Sequence, residues 1–179
     1  MGIALLEQPH FFAIVSISRS IVIAHQKKRV PSRHSPAKKS LGQHFLVDRR
    51  ILGQIVKAAE LTPDDVVIEV GPGRGVLTRV LADRVGRVAA IEMDEVLAKQ
   101  LNETFGERPS VEVVAADARE VDIDSLVEGN TQYKMVANLP YYAASPIVRR
   151  FLEAEHKPTL IIVMIQREVA QGMVAQPGK

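Results

Sequence analysis

Three acids stand at the ends of successive apolar runs, each where a strand would hand over to a loop: Glu69, Glu92 and Asp117. The first lies in Val66-Val-Ile-Glu-Val-Gly71-Pro-Gly73-Arg-Gly75, an apolar run entering a glycine-rich turn. Glycines there let the backbone turn tightly and approach a ligand with no Cβ in the way. Glu69 would repel a pyrophosphate, so the turn suits a cationic, phosphate-free ligand such as S-adenosylmethionine, with its sulfonium and ammonium groups. A structural role for Glu69, such as receiving loop amides, can coexist with this. Glu92 falls 17 residues beyond Gly75, near where a ribose-binding carboxylate belongs. Asp117 follows the next run and is suited to accept from an adenine amino group.

A fourth run ends in Asn138-Leu139-Pro140-Tyr141. Pro140 biases Leu139 to an extended conformation and contributes no donor, so carbonyls and the Asn138 amide oxygen converge beside an aromatic ring. A purine exocyclic amine is a poor nucleophile because its lone pair is delocalised into the ring. Acceptors that hold both N–H groups and favour a tetrahedral nitrogen restore that nucleophilicity, while Tyr141 stacks on the base.

These residues need a scaffold that delivers strand ends to one place. Val/Ile-rich runs at Val66–Val70, 87–91, Val111–Ala115, 133–138 and 160–164 predict five strands. Helical spacing appears at Ile51, Leu52, Ile55, Val56 and Ala59 behind a candidate N-cap, Asp48, and again at 76–84, Glu95–Phe105 (Val96, Leu97, Leu101) and 146–155. The last is predicted to start at Ser145-Pro146, a capping residue with proline at the first helical position. Alternating strands and helices imply an α/β fold, a doubly wound, mostly parallel sheet with its ligand at the strands' carboxyl ends.

The 179 residues suffice for one domain. Without cysteine, disulfides, a thiolate nucleophile and Cys-ligated zinc are excluded, and no metal site is expected. The net charge of +2 divides into +6 over residues 1–47 and −4 over residues 48–179. A basic arm on an acidic body suits a phosphate-bearing partner. Residues 11–24 are apolar but too short, with Arg19 central, to span a membrane. Residues 1–37 are expected to be a disordered extension and linker; their Ser/Arg-rich composition also leaves a transit peptide open.

In order and spacing, Lys38-Lys-Ser-Leu-Gly-Gln-His-Phe-Leu46, the turn at 69–75, Glu92, Asp117 and 138–141 resemble the ribosomal RNA adenine N6-dimethyltransferases of the KsgA type. Ser145-Pro146 and Gln166-Arg-Glu-Val look like the bacterial branch. The resemblance spans residues 38–179. It implies a Rossmann-like class I S-adenosylmethionine-dependent methyltransferase that dimethylates N6 of two adjacent adenosines near the 3′ end of small-subunit (16S) rRNA. Its implied setting is a cytoplasmic monomer acting on a 30S assembly intermediate. It implies cofactor contacts from His44 and Leu46, from Gly71 and its neighbour Gly73 in the turn, from Glu92 at the ribose and from Asp117 at the adenine. Asn138 would meet both cofactor and target amine, and Tyr141 the target base. His44 replaces an Asn of many relatives and is not read as a general base.

Departures occur at Ala143-Ala144 and Gly172-Met173, which bear on local packing. Relatives continue for about a hundred residues with the last strands and a helical domain. On that comparison the domain is expected to be incomplete, the run at 160–164 to form a bare sheet edge, and the chain to be marginally stable. Two other readings stand beside the first: an Erm-type enzyme acting on large-subunit rRNA, and a non-catalytic RNA-binding assembly factor.

Overall fold

The computed structural model describes residues 12–16, 49–127 and 132–166. In chain order the elements are β1 (Phe12–Ser16), α1 (Arg49–Ala59), β2 (Val66–Val70), α2 (Val76–Ala82), β3 (Arg87–Glu92) and α3 (Glu95–Phe105). Then come β4 (Val111–Ala115), α4 (Ile123–Leu126), β5 (Lys134–Asn138), α5 (Tyr141–Glu153) and β6 (Leu160–Gln166). The sheet order is β1-β6-β5-β2-β3-β4, with β2 to β6 mutually parallel and β1 antiparallel to β6.

Period-two side-chain alternation splits each central strand between two cores. Val66, Ile68 and Val70 join Ile147, Val148 and Phe151 of α5 on one face. Val67 joins Ile55 of α1 and Leu77 and Leu81 of α2 on the other. The five predicted strands are therefore apolar at nearly every position because helices cover both faces. After β2 the chain builds outward through β3 and β4, then returns to the opposite side of β2 for β5 and β6. The switch point lies between β2 and β5, where the carboxyl ends of a doubly wound sheet open a crevice.

Three expectations are corrected. Helix α5 begins at Tyr141, not at Ser145-Pro146, and Pro146 sits inside it. Pro140, extended at φ −64°, ψ 149°, starts the helix by accepting from Ala143 N at 3.0 Å and Ala144 N at 3.2 Å. One turn of helix gained outweighs the single backbone bond that Pro146 cannot donate. At the small pair 143–144, Ala144 is fully buried in the core shared by α5 and the sheet, and Ala143 packs against that core. Val96, counted among the apolar positions of α3, points outward, and Ala98, Leu101 and Phe105 are buried instead.

The third correction concerns the edge. β6 is not bare: Phe12–Ser16, placed by the sequence reading in a disordered extension, pairs with it from Phe12↔Gln166 to Ser16↔Ile162. An apolar strand with open N–H and C=O groups is a template for pairing, and a nearby apolar segment satisfies it. Deleting residues 1–36 is therefore expected to lower stability by about 2 kcal/mol, from the backbone hydrogen bonds lost along β6. For a domain of this size that is a fall of roughly 5 °C in Tm, together with concentration-dependent aggregation. Thermal melting of the deleted and intact chains at two concentrations checks both.

Candidate active site at the sheet switch point

The glycine turn owes its shape to backbone conformations that other residues resist. Gly71, Gly73 and Gly75 have φ of +74°, +58° and +75°. A Cβ on Gly71 would lie 3.0 Å from the backbone oxygen of Asn138. The turn after β2 and the end of β5 thus meet across the switch point at a separation only glycine allows. At Gly75 the constraint is packing, since a Cβ would stand 2.7 Å from Phe105 and 2.8 Å from Leu101 of α3.

Glu92 ties this turn to β3. Its Oε2 accepts from Gly73 N and its Oε1 from Asp94 N, both at 3.0 Å, while Gly71 N donates to the Ile91 carbonyl at 3.0 Å. A carboxylate offers about four lone-pair sites, so each Glu92 oxygen keeps capacity for a hydroxyl proton after its amide bond. Asp94 then caps α3, accepting from Val96 N at 2.9 Å and Leu97 N at 3.1 Å. Met93 and Val96, both exposed, form an apolar rim beside Glu92. The sequence reading missed that rim because only the structure separates exposed from buried apolar positions.

Glu69 behaves differently from the other acids. It shares the parity of Val67, so its side chain enters the α1/α2 face and is 1% exposed. Neither carboxyl oxygen nor the neighbouring buried Thr78 hydroxyl completes a hydrogen bond among the described residues. Burial pushes the Glu69 carboxyl up to about 8; the Thr78 hydroxyl opposes the rise and the Glu92 charge adds to it. The acid is held protonated near neutrality beneath the turn, and a cation placed above it would favour ionisation.

Between the ordinary Glu value of 4.5 and about 8 the folded chain keeps a proton that the unfolded chain has lost. Stability therefore falls as pH rises through that window and levels off above it, by an amount on the order of a few kcal/mol. Glu69→Gln is expected to flatten this dependence, so its Tm should gain on that of the parent between pH 5 and pH 8. Denaturation curves across that range check it.

Asp117 lies just beyond β4, partly exposed, and its pKa is lowered by hydrogen bonds from the Arg119 side chain and backbone. Asn138 ends β5, and Leu139 N donates to the Met164 carbonyl at 3.3 Å. The Pro140 carbonyl is engaged by two amides at the start of α5, those of Ala143 and Ala144. Tyr141 opens α5 immediately after Pro140. Hence Gly71, Gly73, Glu92, Asp117, Asn138, Leu139, Pro140 and Tyr141 all fall at the carboxyl ends of the parallel strands. His44, Leu46 and the proposed cap Asp48 lie outside the described residues, as do Lys38, Lys39, 167–169 and Gly172-Met173. Among the described residues no group of acids or histidines could hold a metal ion, and no helix is long and apolar enough to cross a membrane.

Residues 34–179 match the family model for ribosomal RNA adenine dimethylase. The chain belongs to this family. A ribosomal RNA small subunit methyltransferase A from Dehalococcoides mccartyi is 46% identical over 157 residues, which are 88% of this chain and 54% of that protein. One from Moorella thermoacetica is 41% identical over 174 residues, 93% of this chain and 58% of its own length. The chain thus spans little more than half the length of these curated relatives. Among solved structures, the 23S rRNA methyltransferase ErmE is 38% identical with a TM-score of 0.62, covering 69% of this chain and 48% of that one. A dimethyladenosine transferase from Plasmodium falciparum is 25% identical with a TM-score of 0.64, covering 74% and 46%. The fold is accordingly the Rossmann-like fold of class I S-adenosylmethionine-dependent methyltransferases.

Proposed function

We propose that this chain carries the cofactor site and the target-adenosine loop of an S-adenosylmethionine-dependent rRNA adenine N6-dimethyltransferase acting on small-subunit rRNA. The observation that carries the reading is the meeting of Gly71 with Asn138 at the switch point: the cofactor turn and the amine-holding loop share one crevice. The residues fit the cofactor, because the Glu92 and Asp117 carboxyl groups and a glycine backbone without Cβ border a place suited to a cationic, phosphate-free nucleoside. When bound, S-adenosylmethionine supplies an electrophilic methyl carbon.

The chain's own residues do the rest. Glu92 holds the ribose hydroxyls and Asp117 the adenine amino group. Asn138 and the Leu139 carbonyl accept the two N–H groups of the target adenosine, aligning its nitrogen for in-line attack, and Tyr141 stacks on the base. With the cofactor held by Glu92 and Asp117, its methyl group would be supplied to the nitrogen held by Asn138 and Leu139, which would release a proton to solvent; a second round would give the dimethylamine. The target adenosine must leave its stack, which a loop or an immature small subunit makes less costly. The setting proposed is a cytoplasmic monomer working on a small-subunit assembly intermediate, with His44 and Leu46 completing the cofactor contacts.

Labelled S-adenosylmethionine incubated with unmethylated small or large ribosomal subunits tests the reading. Label on adjacent small-subunit adenosines is expected. The likeness to ErmE favours a second reading, large-subunit methylation, and label there would replace the first. RNA binding with no label on either subunit would favour a non-catalytic assembly factor.

A further inference from the structure

Asp117 is already closed by a cation. Its Oδ1 accepts from Arg119 N at 2.9 Å and from Arg119 Nε at 3.0 Å, and its Oδ2 accepts from Nε at 3.0 Å and from Nη2. The in-plane lone pairs of the carboxylate are thereby engaged by one guanidinium and one amide. An adenine amino group cannot reach this carboxylate in its best geometry until the guanidinium withdraws. Withdrawal is easy, because the Arg119 side chain is more than half exposed and an exposed ion pair opens at little cost. The amide bond from Arg119 N stays, so the carboxylate keeps its aim as the guanidinium leaves.

The place into which the guanidinium would be released matters as much. Tyr142, in the first turn of α5 and largely exposed, stands at the same carboxyl end of the sheet as Arg119, which follows β4. The same turn follows Asn138, Leu139 and Pro140, where the target adenosine is proposed to enter. Arg119 therefore shares one end of the sheet with both the carboxylate proposed for the cofactor and the loop proposed for the target.

We propose that Arg119 is a two-position cation: it closes Asp117 while the cofactor pocket is empty and, displaced by the cofactor's adenine, turns to a backbone phosphate of the RNA entering beside Tyr142. This rests on the assignment of Asp117 to adenine. It makes the cofactor and the RNA positively coupled ligands: each favours the position of Arg119 that the other needs, and the coupling is reciprocal. Arg119 acts here as a positioning residue and takes no part in the chemical step.

The test uses the full chain, S-adenosylhomocysteine, and a short single-stranded RNA containing two adjacent adenosines, with both affinities measured by titration at fixed salt. In the parent, saturating S-adenosylhomocysteine should tighten RNA binding. Arg119→Ala should bind S-adenosylhomocysteine ~2–5-fold more tightly, the range an exposed ion pair can withhold. It should also bind RNA more weakly and lose the dependence of RNA affinity on S-adenosylhomocysteine, while Arg119→Lys keeps part of that dependence. Unchanged affinities and undiminished coupling in Arg119→Ala would overturn the proposal. Asp117→Ala separates the two levels. If it leaves S-adenosylhomocysteine affinity intact, the adenine assignment itself fails; if it weakens binding while Arg119→Ala changes nothing, only the role of Arg119 fails.

Discussion

Asn138→Ala is expected to reduce methyl transfer by ~10²–10³-fold, the loss typical of removing one preorganised polar group from the reacting centre. The side chain ends β5 at the switch point, and in the proposed geometry it accepts from the target amine while bordering the cofactor. Its removal should leave S-adenosylhomocysteine affinity within about tenfold of the parent while transfer collapses, because the amine loses one of two acceptors that hold its nitrogen for attack. Asn138→Asp keeps an acceptor and should recover part of the rate. Single-turnover transfer with protein in excess over subunits measures this. Near-normal transfer by Asn138→Ala would show that the target amine is held elsewhere.

Gly71→Ala is expected to damage both stability and cofactor binding. The position has φ +74°, and its new Cβ would stand 3.0 Å from the Asn138 backbone oxygen. Left-handed backbone costs about 1–2 kcal/mol for a residue with a Cβ. Relief of the contact requires the turn and the end of β5 to move apart, because the neighbour is backbone and cannot swing aside. We expect Tm to fall by several degrees and S-adenosylhomocysteine affinity to drop by about tenfold or more. Gly53→Ala in α1 is the control: a Cβ there meets nothing within 4 Å, so helix propensity should stabilise the chain by about 0.5–1 kcal/mol. A Gly71→Ala variant that binds and melts like Gly53→Ala would contradict the close approach.

The contrast between these glycines shows what the sequence could and could not reveal. Strands β2 to β6 were legible because helices on both faces demand nearly continuous apolar runs, and such runs are visible without any knowledge of tertiary contacts. Glu92, Asp117 and Asn138 were legible because each terminates such a run, and a parallel sheet gathers run ends on one side. The pairing of Phe12–Ser16 with β6 was hidden because it joins segments about 150 residues apart, which no local pattern encodes. The start of α5 was misplaced because Ser145-Pro146 has the composition of a helix start, while the earlier start depends on Pro140 leaving the end of β5. The short helix α4, capped by Asp122, was overlooked because four residues show too little periodicity. The burial of Glu69 was within reach: two residues from Val67 on the same strand, it had to face the same core. The closure of Asp117 by Arg119 depends on a side-chain rotamer and left no trace in the spacing.

One measurement tests the central claim, that the switch point between β2 and β5 is the cofactor site of this chain. Backbone amide resonances of the isotopically labelled protein can be followed while S-adenosylhomocysteine is added. The account predicts saturable shifts at Gly71, Gly73, Asp94, Arg119 and Asn138, at the carboxyl ends of the strands. It predicts little change at Asp65, Gly86 and Ser110, which lie at the amino ends. Shifts centred on that second group, or no saturable shift at Gly71 and Asn138 at millimolar ligand, would contradict it.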